Sequence, residues 1–335
     1  IYRIKTESGD VVVPQSDPQG FIDHLSQRFP EDAQGIAAVV NEILAIQAET
    51  EAYGKKSDTI KRLTKPLFPM LYPHMWKVRT QTLADLLAEH VEGEKARHLL
   101  SFLWGYYGLP PEKLSAFYYA IATASYLKNG SYYIKDRSQA LSDALVEAIE
   151  TAGGELIFDT AVERVSVKNK AVTGVTLSGG TTLPARAVVS NASAPTLFNK
   201  MLPSGSVPAD YLEQINAYRP SISCFIVWLG LNDSLRDRLP GYSTSVGWEH
   251  SPEESYAKAL KGDIENASYN VCLYDNLYAD YSAPGTSTMM LFALSGYEHW
   301  RRYEADYRSG EKRAYAAEKK RWTDTLIGRA EKDLL

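Results

Sequence analysis

Cysteine is nearly absent. The 335 residues include two, Cys224 and Cys272, too few for a disulfide scaffold or a thiolate metal site. Both fall in apolar, strand-like stretches, which predicts buried thiols in a cytosolic protein. Long apolar runs are missing as well. No stretch approaches the ~20 consecutive apolar residues of a membrane-spanning helix, and the opening IYRIKTESGD lacks the apolar centre of a secretory signal. That opening carries no initiator Met and reads as the middle of a longer protein. Nor is there an excess of positive charge. Lys and Arg sum to 36 against 41 Asp and Glu, a net charge of −5. No basic run exceeds a local pair or triplet, so nucleic acid is not an expected partner. The six histidines show no ligand-like spacing, and no metal site is expected. There is no G-x-G-x-x-G after a strand, no G-x-x-x-x-G-K-[ST], no G-x-S-x-G and no H-E-x-x-H. The common phosphate cradles, the nucleophile elbow and the zincin helix are thereby removed.

What is present is an ordinary globular composition, 44% hydrophobic and 23% charged, at a length that suits two domains or one large one. IYRIKTESGDVVVP alternates and turns at Ser8-Gly9-Asp10, which predicts a β-hairpin. From Pro18 to Ala52 apolar residues recur at helical spacing, and Pro30 divides the pattern into two helices. After the Pro-punctuated LTKPLFPMLYPHMW (63–76), helical patterns resume as far as residue 127, with Pro110-Pro111 placed to open the last helix. SQALSDALVEAIETAGG (138–154) then predicts a helix with Ser138 as N-cap, Leu141, Leu145 and Ile149 on one stripe, and Gly153-Gly154 at its end. Three short β runs follow, broken at Asn169 and Gly179-Gly180: a three-stranded meander and then a strand, AVVSNA, leading into the next unit. Beyond Pro195 the runs 221–231, 267–276 and 287–296 read as strands of a second sheet, and a charged helix from about Tyr303 to Arg329 closes the chain.

Residues 134–195 carry S-x-A-L-x-x-A-L, then A-G-G, a V-x-x-V strand, a V-T-G-V turn and a closing V-V-S-N-A. In that order and spacing they resemble the middle of phytoene desaturases and carotenoid isomerases, the carotenoid-modifying branch of the FAD-dependent amine oxidase superfamily. YSAPGTSTMMLFAL (281–294) resembles the acidic-to-Pro-Gly turn and strand of the same family. The resemblance implies a mixed α/β fold in which an FAD/NAD(P)-binding-domain-like middle section is interleaved with a substrate domain. The implied domains are 1–133 (substrate domain, first part), 134–195 (central section of the FAD domain) and 196–335 (substrate domain, second part). It also implies an FAD-dependent oxidoreductase passing a hydride between flavin and an extended apolar, carotenoid- or retinoid-like substrate. Alternatives within the superfamily are a carotenoid cis-trans isomerase, a retinol saturase-like reductase and an amine oxidase. From another class comes a non-catalytic isoprenoid- or lipid-binding module. The family's glycine-rich Rossmann turn and its last flavin segment have no counterpart in the sequence. Tight FAD binding is therefore expected of the full-length protein and not of this chain alone.

The resemblance assigns few residues. Val162 matches a valine whose backbone contacts the adenine end of FAD, and Ser190, Asn191 and Ala192 match a strand end that turns towards the cofactor. Asp136-Arg137 stand where relatives carry a glycine pair. No residue is assigned a catalytic role, because the flavin carries the redox chemistry. The stretch 63–76, with Leu67, Phe68, Met70, Leu71, Tyr72, Met75 and Trp76 beside Lys61, Arg62, Lys65 and Lys77, reads in one of two ways. It is a loop buried between helices, the commoner arrangement, or an interfacial anchor holding a cytoplasmic protein at the membrane. Tyrosine is abundant at 22 residues. Tyr106, Tyr107, Tyr118, Tyr119 and Tyr126, with Tyr269, Tyr274, Tyr278 and Tyr281, suit the walls of an apolar tunnel or ordinary core and surface positions.

Overall fold

The computed structural model describes residues 2–6, 9–218, 221–247, 250–278 and 280–334. One compact unit is Ile1–Tyr132 with Ser221–Leu335, and the other is the inserted Tyr133–Pro220. The fold is mixed α/β.

In the first unit, β1 (Tyr2–Ile4) and β2 (Val11–Val13) form the expected antiparallel hairpin, whose turn residue Ser8 lies outside the described residues. α1 (Pro18–Arg28) and α2 (Ala33–Gly54) are separated at Pro30 as expected, and α2 buries Ile36, Val39, Val40, Ile43 and Ile46. Three short helices follow, α3 (Asp58–Thr64), α4 (Phe68–Leu71) and α5 (Pro73–Val78), each restarted at or next to a proline or a capping serine. α6 (Leu83–His90) carries a Thr82/Asp85 capping box. α7 (Glu94–Leu100) starts where the buried Asp32 accepts the N–H groups of Glu92 and Gly93, each at 3.1 Å. α8 (Trp104–Tyr107) ends at Gly108, and α9 (Ala116–Asn129) packs on α2. Pro110-Pro111 do not open α9: the Pro110 carbonyl accepts from Lys113 and Leu114 in a turn, and the helix begins at Ala116.

The rest of this unit supplies β6 (Ser223–Leu231), β7 (Ser243–Val246), α13 (Pro252–Lys261), β8 (Tyr269–Leu273), β9 (Ser287–Ser295), α14 (Tyr297–Arg301), α15 (Glu304–Ser309) and α16 (Arg313–Leu334). The sheet order is β2-β1-β7-β8-β9-β6, with β1 and β7 parallel and the other pairs antiparallel. One sheet face, with Phe225, Val227, Tyr269, Val271, Met289 and Leu291, packs on Trp322 and Leu326 of α16. α14 is pinned to α16 by Glu318, which accepts from Arg321 (2.9 Å), His299 (2.6 Å) and Trp322 (3.0 Å). Hydrogen bonds from Arg321, then those of His299 and Trp322, hold the Glu318 carboxyl well below the usual range, at about 2.

The inserted unit holds α10 (Arg137–Thr151), the meander β3 (Val162–Lys168), β4 (Ala171–Leu177) and β5 (Thr182–Pro184), then α11 (Ala194–Thr196) and α12 (Ala209–Ala217). Asn169 and Lys170, both at positive φ, make the two-residue β3–β4 turn. α10 ends as expected: Gly153 and Gly154 donate to Glu150 and Ile149, the paired bonds of a Schellman end. Its start differs from expectation. Asp136 is the N-cap and Ser138 lies inside the helix. AVVSNA is not a strand either. It finds no ladder partner among the described residues, and Val189 is fully exposed, because a strand exists only where a neighbour takes its hydrogen bonds. The segment 196–220, which the sequence reading placed with the second sheet, clusters with this unit. Asn199 pairs with Asn216 of α12 at 2.9 Å, and Phe198 packs edge-on against Tyr211 at 5.2 Å.

Candidate substrate cavity and cofactor contacts

The free face of the six-stranded sheet carries the side chains that alternate with the α16-facing set. Register aligns them in rows. Ile4, Ser245, Asn270, Phe292 and Ile226 form one row across β1, β7, β8, β9 and β6. Tyr2, Ser243, Cys272, Met290 and Trp228 form the next. Phe102, Leu103, Trp104 and Tyr106 before and within α8, together with Pro252, Ser255 and Ala259 of α13, enclose the space above these rows. The result is a cavity of about 390 Å³, within the range of small-ligand sites. Its exposed lining residues are Cys224 and Ile226 of the edge strand β6 and Tyr106 of α8.

No Asp, Glu, Lys or Arg among the described residues lines this cavity. Burial pushes the Cys272 thiol up, and burial together with neighbouring Cys272 and Tyr274 pushes the Tyr242 phenol up, so both stay protonated and neutral near physiological pH. Trp228, Tyr274 and Tyr281 stack in sequence beyond one end, with centroids 5.4 and 5.0 Å apart. Of the tyrosines singled out in the sequence, Tyr106 lines the cavity. Tyr119 and Tyr126 are core residues whose hydroxyls donate to the carbonyls of Leu100 (2.6 Å) and Val13 (3.1 Å). Tyr2 and Tyr242, which composition did not single out, are wall residues. The expectation of two buried thiols holds for Cys272 and fails for Cys224, which sits on the open side of an edge strand.

The residues matched to a cofactor all lie in the inserted unit. Val162 opens β3, is paired with Leu177 and is 40% exposed. Ser190, Asn191 and Ala192 form an exposed irregular segment in which the Ser190 hydroxyl accepts the Ala192 N–H at 3.2 Å. No hydrogen bond between Val162 and Ser190–Ala192 is found among the described residues. Asp136 and Arg137 have φ of 60° and 73°, the left-handed backbone that a glycine pair adopts without strain and other residues adopt at a cost.

Residues 5–317 match the family of flavin containing amine oxidoreductases. The chain belongs to this family. It is 21% identical over 315 residues to the human all-trans-retinol 13,14-reductase, covering 87% of this chain and 50% of that protein. It is 30% identical over 176 residues to the neurosporene-forming phytoene desaturase of Rhodobacter capsulatus, covering 52% of this chain and 33% of that protein. An oxidoreductase structure from Methanosarcina mazei superposes with a TM-score of 0.51 at 16% identity, over 77% of this chain and 57% of that one, which shows a shared fold. The chain thus spans half or less of the length of these two curated relatives.

FAD is the cofactor of this family. Val162 and Ser190–Ala192 are exposed, with Val162 held in the β3–β4 ladder opposite Leu177. The pyrophosphate is another matter. Gly153 ends α10, Gly179 and Gly180 turn β4 into β5, and the helix after β5, α11, has only three residues. No glycine turn therefore leads from a strand into a long helix among the described residues, and that is the geometry a dinucleotide phosphate needs.

Proposed function

We propose that the full-length protein is an FAD-dependent oxidoreductase acting on an extended apolar isoprenoid, as phytoene desaturases and retinol reductases do by name. Bound FAD supplies the hydride acceptor or donor. The observation that carries the reading is the absence of any charged carboxylate, ammonium or guanidinium side chain among the described cavity walls. An ammonium substrate placed there would lose its hydration without gaining a counter-ion, at a cost of several kcal/mol. A neutral polyene loses nothing polar and gains apolar burial at about 25 cal/mol per Å². This disfavours the amine oxidase alternative within the superfamily. Ile4, Trp104, Met290 and Phe292 hold and orient such a ligand by contact alone and keep water from it. Purified full-length protein offered phytoene, all-trans-retinol and a primary amine under otherwise equal conditions should change the flavin spectrum with a polyene and not with the amine. Reduction of the flavin by the amine alone would sink the proposal.

The second part of the proposal is peripheral attachment of a cytoplasmic protein to a membrane. No helix of the described residues is long and apolar enough to cross one. The stretch 63–76 is not a buried loop: it is built of short helices, and α3 and α4 bury no residue. Leu63 and Met70 are 74% and 73% exposed, with Leu67, Leu71 and Trp76 exposed beside them. Phe68 and Tyr72 turn inward instead and meet Tyr53 edge-to-face at 5.6 and 5.4 Å. Between residues 55 and 79 the chain carries Lys55, Lys56, Lys61, Arg62, Lys65, Lys77 and Arg79 against the single acid Asp58. In an acidic protein, a basic and apolar surface of this kind complements anionic lipid headgroups over hydrocarbon.

A further inference from the structure

One row of the cavity floor is apolar except at its middle. In the row Ile4, Ser245, Asn270, Phe292, Ile226, the two central strands β7 and β8 place a hydroxyl and an amide side by side, with hydrocarbon on either flank. We propose that the Ser245–Asn270 pair is the polar recognition point of this cavity and selects an isoprenoid bearing one neutral oxygen, a hydroxyl or a carbonyl, over a pure hydrocarbon. The inference rests on the reading of this cavity as the substrate site.

The Ser245 hydroxyl donates to Asn270 Oδ1, and Ser245 is buried. That bond occupies one end of the amide. Among the described residues Asn270 Nδ2 has no partner, and it belongs to a side chain lining the cavity. Exchanging the amide's O and N changes only which atom is left over, since Ser245 can satisfy one of the two. Several other wall groups are engaged: Tyr2 with Tyr106, Tyr242 with Tyr274 and Cys272, and His250 with Glu254 at 3.6 Å, while Ser255 and Ser268 add only hydroxyls to the wall. Ser243 accepts from the Cys272 thiol at 3.8 Å. Asn270 is the one amide side chain among the described wall residues, and its Nδ2 is left to offer a ligand.

The chemistry of the ligand follows. A hydrocarbon filling the cavity would displace solvent from the amide without replacing its hydrogen bond, whereas a hydroxyl or carbonyl oxygen accepts from Nδ2. A carboxylate would meet no ammonium or guanidinium among the described wall residues and only an imidazole, His250, already paired with Glu254, and an ammonium would meet no carboxylate. What remains is a neutral oxygen on an otherwise apolar chain. A site built to hydrogen-bond a substrate oxygen discriminates more sharply than one that measures shape alone.

The test uses the flavin-loaded full-length protein and two probes, all-trans-retinol and its deoxy hydrocarbon, with affinity read from quenching of tryptophan fluorescence. The alcohol should bind roughly tenfold tighter, the value of about one net hydrogen bond. Asn270→Leu should weaken the alcohol and tighten the hydrocarbon, so that the preference disappears. Ser245→Ala, which leaves the amide in place, should retain the preference and separates loss of recognition from loss of folding. Equal affinities in the unaltered protein, or an equal loss for both probes in Asn270→Leu, would overturn the recognition role and leave the cavity reading standing. Failure of both probes to bind the unaltered protein would overturn the cavity reading and this inference with it.

Discussion

Glu318 shows how one side chain fixes a helix. It belongs to α16 and accepts from three side chains, Arg321 and Trp322 of the same helix and His299 of α14. Its carboxyl is lowered from 4.5 to about 2 in the folded chain. A carboxyl depressed by folding adds stability that is fully present above the unfolded value, and the contribution fades as pH falls through the folded one. We expect thermal stability to decline between about pH 4.5 and pH 2 by an amount on the order of 2–3 kcal/mol from this group. Glu318→Gln should be less stable at pH 7 and should lose that part of the pH slope. A melting series over pH 2–7 on both proteins checks this, and parallel curves would show that Glu318 contributes nothing to the slope.

At the scale of elements, the short helices α3 to α5 are where the outcome departs most from an ordinary core. Because Leu63, Leu67 and Met70 are exposed, replacing all three with Ser should leave the melting temperature of the full-length protein within a few degrees. The same variant should lose most of its sedimentation with anionic vesicles, and raised salt should weaken binding of the unaltered protein. A variant that melts much lower and still sediments would show that these side chains serve folding and not the membrane. The exposure of α3 to α5 was not legible beforehand, since a Pro-punctuated apolar run has the same composition whether it is covered or not. α10 was legible because Leu141, Leu145 and Ile149 repeat at helical spacing and Gly153-Gly154 end it, all within a few turns of chain. β1 was legible as a hairpin strand, but its parallel pairing of Tyr2 with Ser243 was not, because nothing local records a partner so distant in sequence. The row that brings Ser245 beside Asn270 depends on the same long-range register. That is why the cavity walls, apart from Tyr106, were missed, although the strands bearing them were read.

For the molecule as a whole, the resemblance carried by residues 134–195 and the family match over residues 5–317 lead to one account. This chain holds a cavity with no Asp, Glu, Lys or Arg on its described walls in one unit and, in the other, the exposed residues that the resemblance matches to one end of FAD, and the phosphate-binding turn has no counterpart among its described residues. The most direct measurement is FAD affinity by flavin fluorescence, made on the 335-residue chain and on the full-length protein. The account predicts that the full-length protein purifies yellow with bound flavin, while the chain alone binds FAD only weakly because most of the dinucleotide would remain in water. A colourless full-length protein, or a sub-micromolar dissociation constant for the chain alone, would contradict it.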